Sequence, residues 1–173
     1  IKEAFRNRFY NEAGHLWART QTAHVLALAF DLTGEEYRQR TIDDLETLIG
    51  EWNGLSTGFL GTPHICHVLR DNGRVDAAYR LLTKTEYPSW LYPVTKGATT
   101  VWEHWDSIRT DGSFWSDSMN SFNHYAYGCI GDWIYSTVLG IDTSENGTGY
   151  RVSIVTSVPG GGITWTEGDY KTP

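Results

Sequence analysis

The sequence predicts a mainly α-helical protein of antiparallel helix pairs, with β-structure beginning near its C-terminal end. Apolar residues recur at helical spacing through most of residues 1–140. Glycines and capping residues divide this region into segments of the length typical of paired helices. After Ile141 the apolar period changes to the alternation that is typical of strands.

Start and stop signals locate the individual helices. Thr20 is a candidate N-cap, and Gly34 separates its helix from the next one. At Thr62-Pro63 a capping hydroxyl precedes a proline at the first helical position, which predicts a second helix start. The predicted helices lie at about residues 1–10, 20–32, 42–49, 62–72, 75–82 and 122–139. Stacked antiparallel pairs without a fixed repeat favour a curved α/α barrel that is incomplete at its N-terminal side.

The region after Ile141 predicts the start of a β domain. Residues 142–149 have the composition of a linker, and residues 150–157 and 163–166 are predicted strands on either side of a glycine-rich turn. Two strands alone are marginally stable in water, so we expect this domain to be truncated. The predicted domains are therefore residues 1–141, helical, and residues 142–173, linker and first strands.

Charge and composition exclude several classes of function. The net charge of −7 disfavours nucleic-acid binding, which requires clustered basic residues. No apolar stretch is long enough to span a membrane.

Cys66 and Cys129 are predicted to be buried free thiols. His64 and His67 share a helix face without further ligands, so we expect neither a metal nor a cofactor. The compartment is left open.

Aromatic residues and one acidic motif indicate carbohydrate chemistry. The chain has 8 Trp and 10 Tyr, whose flat faces either fill a core or stack on sugars. Glu103 lies between Trp102 and Trp105, in a segment that follows a loop, and Asp106 lies three residues later. Glycoside hydrolysis uses paired carboxyl groups, one to protonate the leaving oxygen and one to activate water or attack directly. The alternative is that Glu103 is an ordinary surface acid above two packed indoles.

A second candidate lies at the start of the last predicted helix. His124 follows Asn120 and Ser121, either of which could cap that helix. A neutral imidazole can both donate to and accept from sugar hydroxyls. The alternative is a structural histidine.

Four motifs occur in an order that resembles glycoside hydrolase family 78, the α-L-rhamnosidases. They are Thr57-Gly58-Phe59-Leu60-Gly61-Thr62-Pro63, Pro88-Ser89-Trp90-Leu91-Tyr92-Pro93, Gly97-Ala98-Thr99-Thr100-Val101-Trp102-Glu103 and Ser121-Phe122-Asn123-His124-Tyr125-Ala126. The resemblance extends from about Phe5 to Gly140 and continues into the first predicted strands.

The resemblance implies an (α/α)6 barrel followed by a C-terminal β-sandwich. It implies inverting hydrolysis of terminal α-L-rhamnose from glycosides or polysaccharides, with Glu103 as the general base. His124 would contact the sugar, and Trp90, Trp102 and Trp105 would help to form its pocket. The family's general acid lies in a segment that this chain does not contain. We therefore expect an internal part of a longer enzyme, one that needs the missing N-terminal part of its polypeptide and is inactive alone.

Two other classes of function stay open at this point. One is another α/α-barrel carbohydrate enzyme, such as a glucoamylase-like or trehalase-like hydrolase or a lyase. The other is a non-catalytic sugar-binding or helical interaction module. Turnover by the full-length protein would distinguish the enzymes from the module.

Overall fold

The computed structural model describes residues 1–144 and 150–171. Its helices are α1 (Lys2–Phe9), α2 (Gln21–Ala29), α3 (Gly34–Glu51), α4 (Thr62–Asp71), α5 (Val75–Thr83), α6 (Leu91–Thr95) and α7 (Ile130–Trp133). A 3-10 segment (Tyr125–Cys129) leads directly into α7, and a π-helical segment (Ile134–Leu139) follows it, so the three form one terminal helix. The described strands are β1 (Ile141–Thr143) and β2 (Ser153–Val155).

Short connections pair the helices. α2 packs on α3, and α4 packs on α5, with only a few residues between the partners. Short connections of this kind make neighbouring helices antiparallel. α4 also contacts α2 on one side and the terminal helix on the other. Helices α2, α4 and the terminal helix therefore lie side by side, with α3 and α5 as their outer partners.

One apolar core holds these helices together. Trp133 of the terminal helix is 1% exposed and meets the ring of Tyr79 edge-on, with the centroids 5.1 Å apart. The other fully buried apolar side chains of this core include Val25, Ile42, Leu45, Leu55, Ile65, Leu69 and Ala78. Burying a large apolar side chain contributes about 1.5–3 kcal/mol, so the core is the main stabilising element.

The loop that precedes α4 connects the beginnings of three helices. Gln21, the first residue of α2, donates to the carbonyl of Gly54 at 2.8 Å and accepts from the amide of Ser56 at 2.8 Å. Phe59, later in the same loop, stacks on His124, which directly precedes the terminal helix. The N-terminal ends of α2, α4 and the terminal helix therefore lie at one side of the molecule.

The predicted helix starts at Thr20 and Thr62-Pro63 are confirmed. The Thr20 side chain accepts from the amide of Ala23 at 3.2 Å, and proline occupies the first turn of α4. The predicted start at residue 122 is wrong, because residues 121–124 are not helical and the 3-10 segment begins only at Tyr125. Part of the intervening backbone hydrogen-bonds to a distant loop instead.

The β prediction is correct for one strand and wrong for the other. β2 lies within predicted residues 150–157, but its partner is β1, with Ile141 opposite Val155 in an antiparallel register. β1 occupies the beginning of the predicted linker, whose residues 145–149 lie outside the described part of the chain. Residues 163–166 form no strand, because this segment packs on helices: Thr166 Oγ1 donates to the carbonyl of Val138 at 3.4 Å.

Candidate active site

Backbone pairing brings Glu103 and His124 close together. The amide of Glu103 donates to the carbonyl of Ser121 at 2.9 Å, and the amide of His124 donates to the carbonyl of Val101 at 2.8 Å. These two hydrogen bonds hold the segments of residues 101–103 and 121–124 beside each other, although the residues are about 20 positions apart in the sequence. The structure thus unites the two candidates that the sequence placed in separate motifs.

The Glu103 carboxylate is fixed by a backbone amide. The amide of Ser121 donates to Glu103 Oε2 at 2.8 Å, and the side chain is half-buried. Within residues 1–144 and 150–171, the other carboxylate oxygen accepts no hydrogen bond. A carboxylate that is held by one oxygen and open at the other can accept a proton from water.

Trp102 is largely covered. The residue is 5% exposed, and its ring packs edge-on against that of Phe122, with the centroids 5.3 Å apart. The indole therefore packs the Glu103 segment against the segment that carries Phe122.

Trp90 and Trp105 form one aromatic cluster with Tyr127. Trp105 stacks on Tyr127 with the centroids 3.8 Å apart, and Trp90 meets Trp105 edge-on at 5.6 Å. Trp90 Nε1 donates to the carbonyl of Tyr127 at 2.9 Å. Burial raises the pKa of Tyr127 to about 12, so its hydroxyl stays protonated at neutral pH. With Trp102, the two indoles line an apolar cavity of about 320 Å³.

Phe59 supports His124 and was not singled out from the sequence. Its ring stacks on the imidazole at 4.8 Å with an interplanar angle of 17°, and it also touches Tyr127 at 5.1 Å. The signal in the sequence that could have pointed to Phe59 is its place in the first of the four motifs. Its contact with His124 joins two loops that are far apart in the sequence, so motif spacing could not predict that contact.

Two further polar residues follow Glu103 in the same motif. His104 stacks on Trp115 at 3.7 Å, and its buried Nε2 has no hydrogen-bond partner among the described residues. Asp106, the other carboxylate of the motif, lies near two tyrosines: burial, followed by the charge of Asp106, raises the pKa of Tyr87 and of Tyr92.

The remaining histidines and cysteines play no part in this site. His67 pairs with Asp132 at 3.0 Å, whereas His64 packs against Phe30. Cys66 is buried, which raises the pKa of its thiol well above the usual range, and Cys129 is a half-buried free thiol. In the part of the chain that the structure describes, no three His, Cys, Asp or Glu side chains converge to hold a metal ion.

Sequence and structure comparisons agree on the family. Residues 1–138 match the family described as bacterial alpha-L-rhamnosidase 6 hairpin glycosidase domain. The chain belongs to this α-L-rhamnosidase family. An alpha-L-rhamnosidase from Streptomyces avermitilis is 46% identical over 166 residues, and one from Formosa agariphila is 41% identical over 175 residues. These matches cover 95% and 100% of this chain but 16% and 19% of the relatives.

Solved α-L-rhamnosidases share the fold. The crystal structure of the Streptomyces avermitilis enzyme complexed with L-rhamnose superposes with a TM-score of 0.88 at 45% identity, covering 93% of this chain and 16% of that one. The native enzyme from Aspergillus terreus gives a TM-score of 0.86 at 37% identity, covering 93% and 19%. The helix pairs are thus part of an (α/α)6 barrel, as predicted.

The helices of this chain are short or amphipathic. None of those in residues 1–144 and 150–171 has the length and apolar character needed to cross a membrane.

Proposed function

We propose that the parent protein is an inverting α-L-rhamnosidase and that this chain supplies its general base, Glu103. One observation carries the proposal: the Glu103 carboxylate accepts from the Ser121 amide, in the segment that also carries His124, in a chain of the α-L-rhamnosidase family. The substrate is a terminal α-L-rhamnose on a glycoside or polysaccharide. The related Streptomyces enzyme, whose structure is a complex with L-rhamnose, supports this substrate.

In this mechanism Glu103 removes a proton from water as the water attacks the anomeric carbon. A second carboxyl group protonates the leaving oxygen from the opposite side of the sugar, about 6.5–9.5 Å away. The open oxygen of Glu103 can receive the proton, while the Ser121 amide keeps the carboxylate in place. His124, whose plane is fixed by Phe59, is suited to hold sugar hydroxyls.

The second carboxyl group is proposed to come from another part of the polypeptide. The chain spans less than a fifth of the length of the relatives described above. We therefore expect residues 1–173 alone to be inactive on aryl α-L-rhamnosides. Within the chain, residues 1–141 are proposed to be barrel and residues 142–173 linker and β domain.

The three tryptophans are proposed to shape the pocket. Trp102 packs against Phe122, and together with Trp90, Trp105 and Tyr127 it lines one cavity. Apolar indoles exclude water around a carboxylate, which strengthens the interactions made there.

Two measurements on the full-length enzyme test the proposal. Proton NMR during early hydrolysis should show β-L-rhamnose first, because attack by water inverts the anomeric centre. Glu103→Gln keeps the hydrogen bond from Ser121 but cannot accept a proton, so kcat should fall about 10²–10⁴-fold. Asp106→Asn is the matched control and should have little effect.

The opposite results would reassign the residues. If α-L-rhamnose appears first, Glu103 acts as a nucleophile and the enzyme is retaining. If Glu103→Gln is nearly as fast as wild type while Asp106→Asn is slow, Asp106 is the base. No turnover of any rhamnoside by the full-length protein would exclude the proposed activity.

A further inference from the structure

A second cavity lies at the beginning of α2, away from the Trp-lined one. It has a volume of about 330 Å³ and lies between the loop after α1, the first turn of α2 and the C-terminal half of α3. Its lining includes His15, Trp17, Arg19, His24, Asp44 and Thr47. Neither the four sequence motifs nor the proposed mechanism uses these residues.

The polar wall of this cavity presents hydrogen-bond acceptors. His24 is almost completely buried, and its Nδ1 donates to the carbonyl of Thr20 at 2.8 Å. Burial lowers the pKa of His24, so the ring is neutral and its Nε2 is an acceptor. That nitrogen lies 4.0 Å from Asp44 Oδ2, too far for a hydrogen bond. Among the described residues no donor reaches His24 Nε2, whereas Asp44 Oδ2 already accepts from His15 Nδ1. A hydroxyl group of a ligand or of water can donate to His24 Nε2 and to the remaining lone pairs of Asp44.

A hydrogen-bond chain fixes Asp44 and argues against a charged ligand. His15 Nδ1 lies 2.6 Å from Asp44 Oδ2, and Arg40 Nη1 lies 3.3 Å from the other nitrogen of the same imidazole. The Asp44 carboxylate repels anions, and the guanidinium group of Arg40, which lies behind His15, repels cations, whereas Arg19 of the lining is already paired with Glu51. The lining therefore favours a neutral, hydroxyl-rich ligand.

Trp17 supplies an apolar platform at the edge of the cavity. It is 69% exposed, although its backbone is held by a 2.9 Å hydrogen bond from its amide to the carbonyl of Phe9. An exposed indole beside buried acceptors can cover the C–H face of a sugar ring while the acceptors bind its hydroxyls.

The cavity lies on the same side of the molecule as Glu103. The first turn of α2, which lines it, hydrogen-bonds through Gln21 to the loop before α4. The same loop carries Phe59, which stacks on His124. One loop thus separates this cavity from the candidate active site.

We propose that this cavity is a sugar-binding subsite, which holds a neutral sugar residue of the substrate beyond the terminal rhamnose. Trp17 stacks on that residue, and Asp44 and His24 accept its hydroxyls. This inference rests on the proposed rhamnosidase function. It predicts that the enzyme prefers rhamnose-terminated oligosaccharides over simple aryl rhamnosides.

The test compares two substrates on the full-length enzyme. These are 4-nitrophenyl α-L-rhamnoside and a rhamnose-terminated oligosaccharide with two or more further neutral sugars. Trp17→Ala should lower kcat/KM on the oligosaccharide about tenfold, mainly through KM, and leave the aryl substrate unchanged. Asp44→Asn, which keeps the shape of the side chain, should show the same selectivity. Trp52→Ala is the matched control, since Trp52 is 61% exposed but does not line the cavity.

Three results would overturn the inference while leaving the rhamnosidase proposal intact. They are unchanged oligosaccharide kinetics in Trp17→Ala, an equal loss on both substrates, and the same selective loss in Trp52→Ala. A wild-type enzyme that hydrolyses neither substrate would instead refute the rhamnosidase function and this subsite with it.

Discussion

The stacking of Phe59 on His124 gives a prediction that tests whether Phe59 acts by orienting the imidazole or by contacting the substrate itself. The two rings lie 4.8 Å apart and are nearly parallel, and Phe59 is 42% exposed. Phe59→Ala removes this support, because no other ring is stacked at that distance on the imidazole in the described residues. His124 would then sample more orientations, and fewer of them would be productive.

The magnitude follows from the pair geometry. Aromatic pairs contribute about 0.5–1.5 kcal/mol beyond the area they bury. If that energy orients His124, its loss lowers kcat/KM about 2- to 12-fold, since about 1.36 kcal/mol corresponds to a factor of ten. His124→Ala itself should cost about 2–4 kcal/mol, as expected for polar contacts to the sugar that are left unmade.

A double-mutant cycle on the full-length enzyme measures the coupling. Phe59→Ala should lower kcat/KM on an aryl rhamnoside in the wild-type background and have almost no effect in the His124→Ala background. Phe30→Ala is the matched control: Phe30 is 59% exposed and also lies beside an imidazole, that of His64, but far from Glu103 in the sequence. The reasoning is refuted if Phe59→Ala costs the same in both backgrounds, or if Phe30→Ala is equally slow.

Three further predictions concern stability. Tyr79→Phe removes the 2.6 Å hydrogen bond to the carbonyl of Val158, so it should cost about 1 kcal/mol and speed limited proteolysis after residue 155; an unchanged cleavage rate would contradict this. Gly140→Ala places a Cβ 2.2 Å from the Ser157 amide nitrogen at a φ of +76°, so thermal unfolding should occur at a clearly lower temperature. Burial lowers the pKa of His24, so the unfolded chain takes up that proton first as pH falls; the protection factors of the α2 amides, which are corrected for the intrinsic exchange rate at each pH, should therefore fall below about pH 6.5, and constant protection factors would disagree.

Local signals were sufficient for most helices. Thr20 and Thr62-Pro63 marked helix starts that depend only on nearby backbone donors and on the fixed φ of proline. The start predicted at residue 122 was wrong because the amide of His124 hydrogen-bonds to Val101, more than twenty residues earlier. Periodicity does not reveal a competing long-range partner.

The strands were predicted poorly for the same reason. An alternating pattern identifies a strand but not the strand with which it pairs. The predicted partner of β2 was the segment that follows it, whereas the partner in the structure is β1. The glycines at 160 and 161 were read as a hairpin turn. Their role in the structure is to let the backbone approach the ring of Tyr79: a Cβ at Gly160 would lie 2.3 Å from that ring.

The site shows which functional groups a motif can reveal. Glu103 was singled out because it lies between two indoles with a second carboxyl group three residues later, and its role as the general base, which came from the family resemblance, stays a prediction. The Ser121 amide that fixes it is a backbone group, and no side-chain pattern can indicate it. The tryptophans were predicted to contact sugar, and the structure shows their packing against Phe122 and Tyr127, so their contact with substrate stays a prediction.

The way in which Glu103 is held bears on its proposed role as a base. In the described part of the chain, no Lys, Arg or His side chain forms an ion pair with it. A cationic side chain paired with the carboxylate would stabilise its charged form and oppose proton uptake. The Ser121 amide positions the carboxylate without a charged partner, and it comes from the segment that also carries His124. Two backbone segments thus position both groups.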